Sequence, residues 1–384
     1  MRAKILLFVL STLLLRVGLY LADHPAIPVG ATVRIAGRIT GMPGVRGKTT
    51  EAKIDSYRIR LEGPARVFAG QRIEVVGRVT EARRGRETII SVNADNLRLI
   101  ADNTAVIFKT KIGILLYNLR QSLKVKLLRL LPAEEAALAA GIVLGEKESV
   151  GFDFYNNLRK TGTIHMLVAS GSNLAMLSAF IVGSFSWIGG RRRAMLAAII
   201  LMWAYAGMVG MEAPVVRAAI MGSVAIGGEL FGRQAHSLRL LFLCGGLMVF
   251  IRPAWVWDVG FQLSFSATLG LISVPGLVGV AGKLVKRSVL LKIPKALFET
   301  ISAQVFSLPV LVLNFGWSAV SVIAPVANLA VGWLVAPIMV MGSGLILLDG
   351  FFGKSWLVYL WAGLVYVPLH AFVEVVSFLG GMGG

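Results

Sequence analysis

The chain has 384 residues, 56% of them hydrophobic and only 15% charged, with a mean hydropathy of +0.75. These proportions exclude an ordinary soluble domain and indicate a multi-pass membrane protein. Lysine and arginine number 39 against 20 acids, a formal net charge of +19, so a polyanion or an anionic membrane surface is an expected neighbour.

Residues 1–23 open with a short basic start, MRAK, followed by the apolar run AKILLFVLSTLLLRVGLYLA at 3–22, which has spanning length. Arg16 interrupts the run and ADHPA is a poor cleavage site, so an uncleaved helix is favoured over a signal peptide. Residues 24–103 differ in kind. VRIAGRIT, AKIDSYRIRLE, QRIEVVGRVT and ETIISVNADNLRL mix β-branched and polar residues between Gly/Pro turns such as GMPGVRGK and EGPARVFAG. A small β-barrel fits, and the OB fold is common at that size. Over 30–100 there are fourteen Lys/Arg and seven Asp/Glu. Arg34, Arg58, Arg60, Arg83, Arg84 and Arg86 are the candidate contacts of a basic surface. That surface either binds backbone phosphate or is simply solvated or lipid-facing. Aromatic residues are few there, chiefly Tyr57 and Phe68, which limits base stacking.

Residues 104–160 are expected to form interfacial amphipathic helices. The stretch 104–131 holds six Lys/Arg and no acid, and Ile112, Leu116, Leu119, Leu123, Leu127 and Leu130 recur every three or four residues. Such a helix would lie on the membrane, with Arg120 and Lys124 on its basic side. It either anchors the chain there or helps guide an anionic substrate. PAEEAALAAGIVLG continues the helical pattern.

Residues 161–384 read as a bundle of about eight further spans, near 164–184, 194–211, 213–231, 237–252, 255–281, 296–315, 319–348 and 355–379. The seventh is long and contains Pro325 and Pro337, so it spans once, breaks, or forms a hairpin. The basic clusters (Arg191 to Arg193; Arg233 and Arg239; Lys283 to Lys295; Lys354) alternate with loops nearly free of Lys/Arg. The positive-inside rule then puts the basic loops and the N-terminus in the cytoplasm and the β domain outside. Cys244, the single cysteine, sits in an apolar run and permits neither a disulfide within the chain nor a Cys-based zinc site.

Polar residues recur within the apolar segments. Arg217 lies in APVVRAAIMGS, and Asp258, Gln262, Ser264, Ser266 and Thr268 lie in VWDVGFQLSFSATLG. Glu299, Gln304, Asn314 and Asn328 follow. A charge at the bilayer centre costs about 2.5–3.5 kcal/mol on insertion scales, so such groups either glue helices together or line a wet path. The stretch TGTIHMLVASGSNLAMLS adds His165, Ser170, Gly171 and Asn173. His165 and Ser170 diverge by about 140° around a helix. There is no G-x-S-x-G elbow and no H-E-x-x-H motif, so neither catalysis nor a metal site is expected there. No cofactor is expected either.

These segments resemble the ComEC competence family. Gly162, His165, Ser170 and Gly171 match the family's Gly, His and Ser-Gly in order, with Asn173 where a second His is usual. LPAEEAALAAGIVLGEK, APVVRAAIM, VGFQLSFSATLGLI and LPVLVLNFGWSAVSVIAPVANLAVGWLVAPIMV resemble further family segments in the same order. The resemblance implies a multi-pass α-helical membrane protein with an N-terminal extracytoplasmic OB-like β-barrel domain. It also implies passage of single-stranded DNA across the cytoplasmic membrane in natural transformation. On that reading His165, Ser170, Gly171, Asn173, Arg217, Gln262, Ser264 and Asn328 lie along the DNA path. The expected partners are single-stranded DNA, the lipid bilayer, a separate nuclease, a surface DNA receptor and a cytoplasmic ATP-driven translocase. The separate nuclease is expected because the family's C-terminal metallo-β-lactamase-like domain has no counterpart in this sequence. The alternatives are a transporter of another anionic solute with broken helices and a membrane-anchored nuclease.

Overall fold

The structure is a computed structural model. It describes residues 11–20, 29–39, 44–46, 49–54, 57–62, 72–81, 88–93, 97–99, 104–146, 150–167, 171–233, 236–281, 295–317, 321 and 323–382. The chain forms two compact units. One comprises 1–119, 210–213 and 242–261, and the other 120–209, 214–241 and 262–384.

The first unit contains helix α1 (residues 11–20) and seven strands: β1 (Thr32–Arg38), β2 (Gly44–Arg46), β3 (Thr49–Ile54), β4 (Tyr57–Glu62), β5 (Arg72–Glu81), β6 (Thr88–Asn93) and β7 (Leu97–Leu99). Their order is β1-β5-β6-β4-β3-β2, with β7 also on β5. Every pair is antiparallel except β4 with β6. A single bridge, Ile39 to Ile54, joins the residue after β1 to the end of β3. Among the described residues this is an open ladder plus one bridge, not a closed barrel. Alternation explains its core. Ile59, Leu61, Ile73, Val75, Val79, Ile90 and Val92 point inward and are buried, which sends Arg58, Arg60 and Arg78 to the other face. Elsewhere in this unit Tyr20 of α1 stacks on Trp257, ring centroids 5.8 Å apart.

The helices are α2 (Thr104–Leu130), α3 (Ala133–Leu144), α4 (Phe152–Lys160), α5 (Ile164–Leu167), α6 (Gly171–Gly189), α7 (Arg191–Val209), α8 (Ala213–Leu230), α9 (Ser237–Ile251), α10 (Val259–Ala281), α11 (Lys295–Phe315), α12 (Ala324–Phe352) and α13 (Trp356–Met382). Among the described residues α7, α8, α12 and α13 are long and apolar enough to cross a membrane. This is a membrane helical protein. Its second unit has one core in which Leu138 and Ile142 of α3 meet Val331 and Ile338 of α12 and Leu369 and Phe372 of α13. The outward faces carry large apolar side chains instead, among them Ile200, Leu313, Phe351 and Val367. Such faces suit lipid rather than water.

One expectation about a single segment resolves here. The long seventh span is one continuous helix, α12, of 29 residues or about 44 Å, with Pro337 inside it, so it is not a hairpin. Of the segment expected at 164–184, α5 and α6 are described and 168–170 lie outside the described residues.

Candidate functional site

The polar cluster of the second unit is built by α6, α8 and α10. Arg217 lies in the second turn of α8 and is half-buried. Its Nε donates to Ser264 Oγ on α10 at 2.8 Å, and its Nη1 lies 3.4 Å from Met221 Sδ, one turn along its own helix. Gly171 opens α6 directly against this guanidinium. A Cβ there would stand 2.6 Å from Arg217 Nη2 and 3.2 Å from Ala218 Cβ, so no larger residue fits without moving the arginine. A guanidinium held in this way favours an anion.

Beside this cluster α10 and α11 carry a second polar contact. Asn314 Nδ2 donates to Gln262 Oε1 at 3.2 Å and to the Val310 carbonyl at 2.8 Å. Ser266 and Thr268 turn back to the carbonyls of Leu263 and Ser264. In the first unit Asp258 caps the start of α10, accepting the Phe261 N–H at 2.9 Å.

The remaining expected path residues have other neighbours. His165 on α5 is exposed, and its Nδ1 lies 2.9 Å from the Gly162 carbonyl oxygen. A carbonyl only accepts, so Nδ1 carries the proton and Nε2 of the neutral ring is an acceptor. His165 can therefore donate outward to an anion only as the imidazolium. Gly162 itself is left-handed (φ 68°), and a Cβ there would meet Ala324 Cβ at 2.6 Å. Asn173 is buried and donates to the Ile142 carbonyl at 3.1 Å. The chain turns after α3 so that Gly145 N–H bonds Gly141 and Glu146 N–H bonds Ala140, which leaves the Ile142 carbonyl for Asn173. Asn328 is buried, and its Oδ1 has no hydrogen-bond partner among the described residues. Ser170 lies outside the described residues.

The expected basic surface divides similarly. Arg34 and Glu74 form a cross-strand ion pair, and hydrogen bonding to Glu74, with its charge attraction, holds the Arg34 guanidinium above its ordinary pKa. Arg60 bonds Glu51 directly across the β3–β4 ladder at 3.2 Å, and Arg58 lies 3.9 Å from the same carboxylate. These arginines stay half-exposed to exposed, so solvent weakens the pairs. Arg83, Arg84 and Arg86 lie outside the described residues. Arg120 corrects the expectation of an open basic face on α2. It is buried, donating to the Gly145 carbonyl at 2.6 Å and pairing with Glu146 at 3.4 Å. Lys124 shares Glu146 at 3.7 Å. A buried carboxylate needs paired cations, and the basic side of α2 supplies them to this unit.

Sequence reasoning missed Glu135, Glu146, Asp349 and His370, all ion-paired groups. Acids beside or within apolar runs such as AEEAALAAG and LILLDGFF were the signal available. Among the described residues no group of three or more His, Cys, Asp or Glu side chains is placed to hold a metal ion.

The fold and this cluster define a helical membrane protein with a charged, hydrogen-bonded site set among its helices. The family model described as Competence protein matches residues 142–382, and the chain belongs to that family. It is similar to ComE operon protein 3 of Bacillus subtilis (strain 168), 26% identical over 235 residues, which is 59% of this chain and 29% of the relative. The chain thus matches under a third of that relative's length. No solved structure matches the chain.

Proposed function

We propose that this protein is a channel that passes single-stranded DNA across the cytoplasmic membrane during competence, without catalysing a reaction on it. The family and the operon name of the relative support a role in competence. The observation that carries the channel reading is Arg217. A charged side chain within a spanning segment costs about 2.5–3.5 kcal/mol on insertion scales, and here it sits at the opening of α6 with Ser264 directing its Nε. Those groups suit a phosphodiester. Gln262 and Asn314 extend the polar surface with neutral groups, which would let a strand slide rather than stick.

The basic sheet fits an OB-type domain outside the membrane. In support, its strand order, its one parallel pair and the Ile39–Ile54 bridge suit a five-stranded barrel completed by short extra strands. Arg34, Arg58 and Arg60 on its outer face would gather phosphates. The basic loops would then face the cytoplasm. A surface receptor delivering DNA, a nuclease removing one strand and an ATP-driven translocase inside are the partners this scheme requires.

The test is replacement of Arg217 in a transformable host whose own channel gene is deleted. R217A should reduce DNA internalisation sharply while membrane insertion and surface DNA binding persist, and R217K should restore it only in part, since lysine cannot reproduce the planar fork. Transformation by R217A at the unaltered rate would refute the proposal.

A further inference from the structure

Apart from the Arg217 cluster, a string of ionisable side chains leads from the protein's exterior into the apolar core of the second unit. Glu374 on α13 has 68% of its side chain exposed, His370 one turn earlier 45%, and Glu135 in the first turn of α3 only 8%. His370 Nδ1 lies 2.9 Å from Glu135 Oε1, and its Nε2 lies 3.9 Å from Glu374 Oε1. Tyr366 stacks on the imidazole, centroids 5.0 Å apart, and fixes the ring plane. The carboxylates flank opposite ring nitrogens, so they cannot converge on one metal ion, but this geometry suits proton transfer through the ring.

We propose that Glu374, His370 and Glu135 form a proton-binding relay coupled to the Arg217 site. With a neutral ring, Nδ1–H donates to the Glu135 carboxylate and the Nε2 lone pair faces Glu374. The gap to Glu374 is too long for a hydrogen bond. A proton arriving through Glu374 adds to Nε2 and gives the imidazolium. The Nδ1 proton then passes to Glu135 Oε1. The ring is neutral again with its proton on Nε2, and Glu135 is a neutral carboxylic acid. The net change is one proton moved from the exposed end of the string to its buried end.

That end is mechanically placed. Glu135 sits at the start of α3, where an ionised carboxylate favours the helix terminus. The other end of α3 is tied through the Ile142 carbonyl to Asn173, two residues beyond the Gly171 that lies against Arg217. Neutralising Glu135 alters what holds α3 at one end, and Asn173 carries any shift of α3 to the opening of α6. Other ionisable groups stand on the neighbouring elements. Glu134 adjoins Glu135 on α3, and α4, packed on α13, carries Asp153, Tyr155, Arg159 and Lys160. On α12 Asp349 is held by Lys126 and Arg129, and on α5 His165 is bound to the Gly162 carbonyl. Among the described residues only Glu135 and Glu374 come within 4.0 Å ion-pairing distance of the His370 ring.

The coupling rests on the channel reading, so two measurements separate them. In the full chain in lipid nanodiscs, labelled with ¹⁵N-histidine and ¹³C-carboxyl glutamate, the His370 ring and the Glu135 carboxyl should respond to pH together over the range in which the protein stays folded. H370Q should remove the Glu135 response in that interval. A Glu135 signal that is flat there, or that is unchanged by H370Q, overturns the relay. In cells, H370Q and E135Q should flatten the dependence of DNA internalisation on external pH, whereas R217A should lower internalisation at every pH. An unaltered pH profile in both relay variants overturns the coupling. A fully active R217A would instead fault the channel reading, leaving the nanodisc result to judge the relay by itself.

Discussion

Asn173 illustrates how one side chain can look functional in sequence and serve the fold. It stands where the family usually has a second histidine, and its amide caps the carbonyl of Ile142. Histidine can supply the same N–H, so N173H should keep the thermal unfolding midpoint in detergent close to that of the parent. N173L leaves a buried carbonyl unsatisfied and should cost about 1–3 kcal/mol, seen as a lower midpoint. Equal midpoints for N173L and N173H would show that the hydrogen bond does not matter. Gly171 carries the opposite lesson, because there the absence of a side chain is what the site uses. G171A places a methyl 2.6 Å from Arg217 Nη2 and should displace the guanidinium from Ser264. Internalisation should fall with expression intact. Arg217 and Ser264 stood out in sequence because polar residues in apolar segments are costly, but their meeting with each other and with Gly171 depends on which helices pack together. The capping role of Asn173 was not legible, since it depends on how the chain leaves α3.

Among the elements, α2 departs furthest from expectation. Its leucine spacing predicted an interfacial helix that anchors the chain or helps guide an anionic substrate, and periodicity says which face is apolar but not what covers the other face. Within the second unit, Arg120 and Lys124 pair with Glu146, and Lys126 and Arg129 with Asp349. Both acids lie more than fifteen residues away in sequence, beyond any local pattern. Replacing Lys126 and Arg129 together by alanine strands a buried carboxylate and should destabilise the protein by about 3–5 kcal/mol. Near-parental stability of that double variant would mean that the pairs are incidental. The sheet was more legible, because alternation of Ile59, Leu61, Ile73 and Val75 with Arg58, Arg60, Glu62 and Glu74 fixes which face is core. If its outer arginines touch single-stranded DNA, R34E with R58E should flatten the salt dependence of binding by about 0.7 per lost phosphate contact in a plot of log affinity against log salt. An unchanged slope would mark that face as merely solvated.

For the whole molecule, composition alone fixed the membrane class, and the order of motifs fixed the family. The course of a path through the bundle could not come from sequence, because it depends on which helices meet. The described residues join α6, α8 and α10 at one cluster and give Asn173 and His165 to other contacts. The central claim is that a DNA strand passes against Arg217. It is tested by placing a photoreactive side chain at Met221, beside the guanidinium, and as a control at Leu313, which is 77% exposed on an outward apolar face. Illumination during uptake should produce covalent DNA adducts at 221 and none at 313. Transformation that proceeds through the 221 variant with no DNA adduct would contradict a strand passing there.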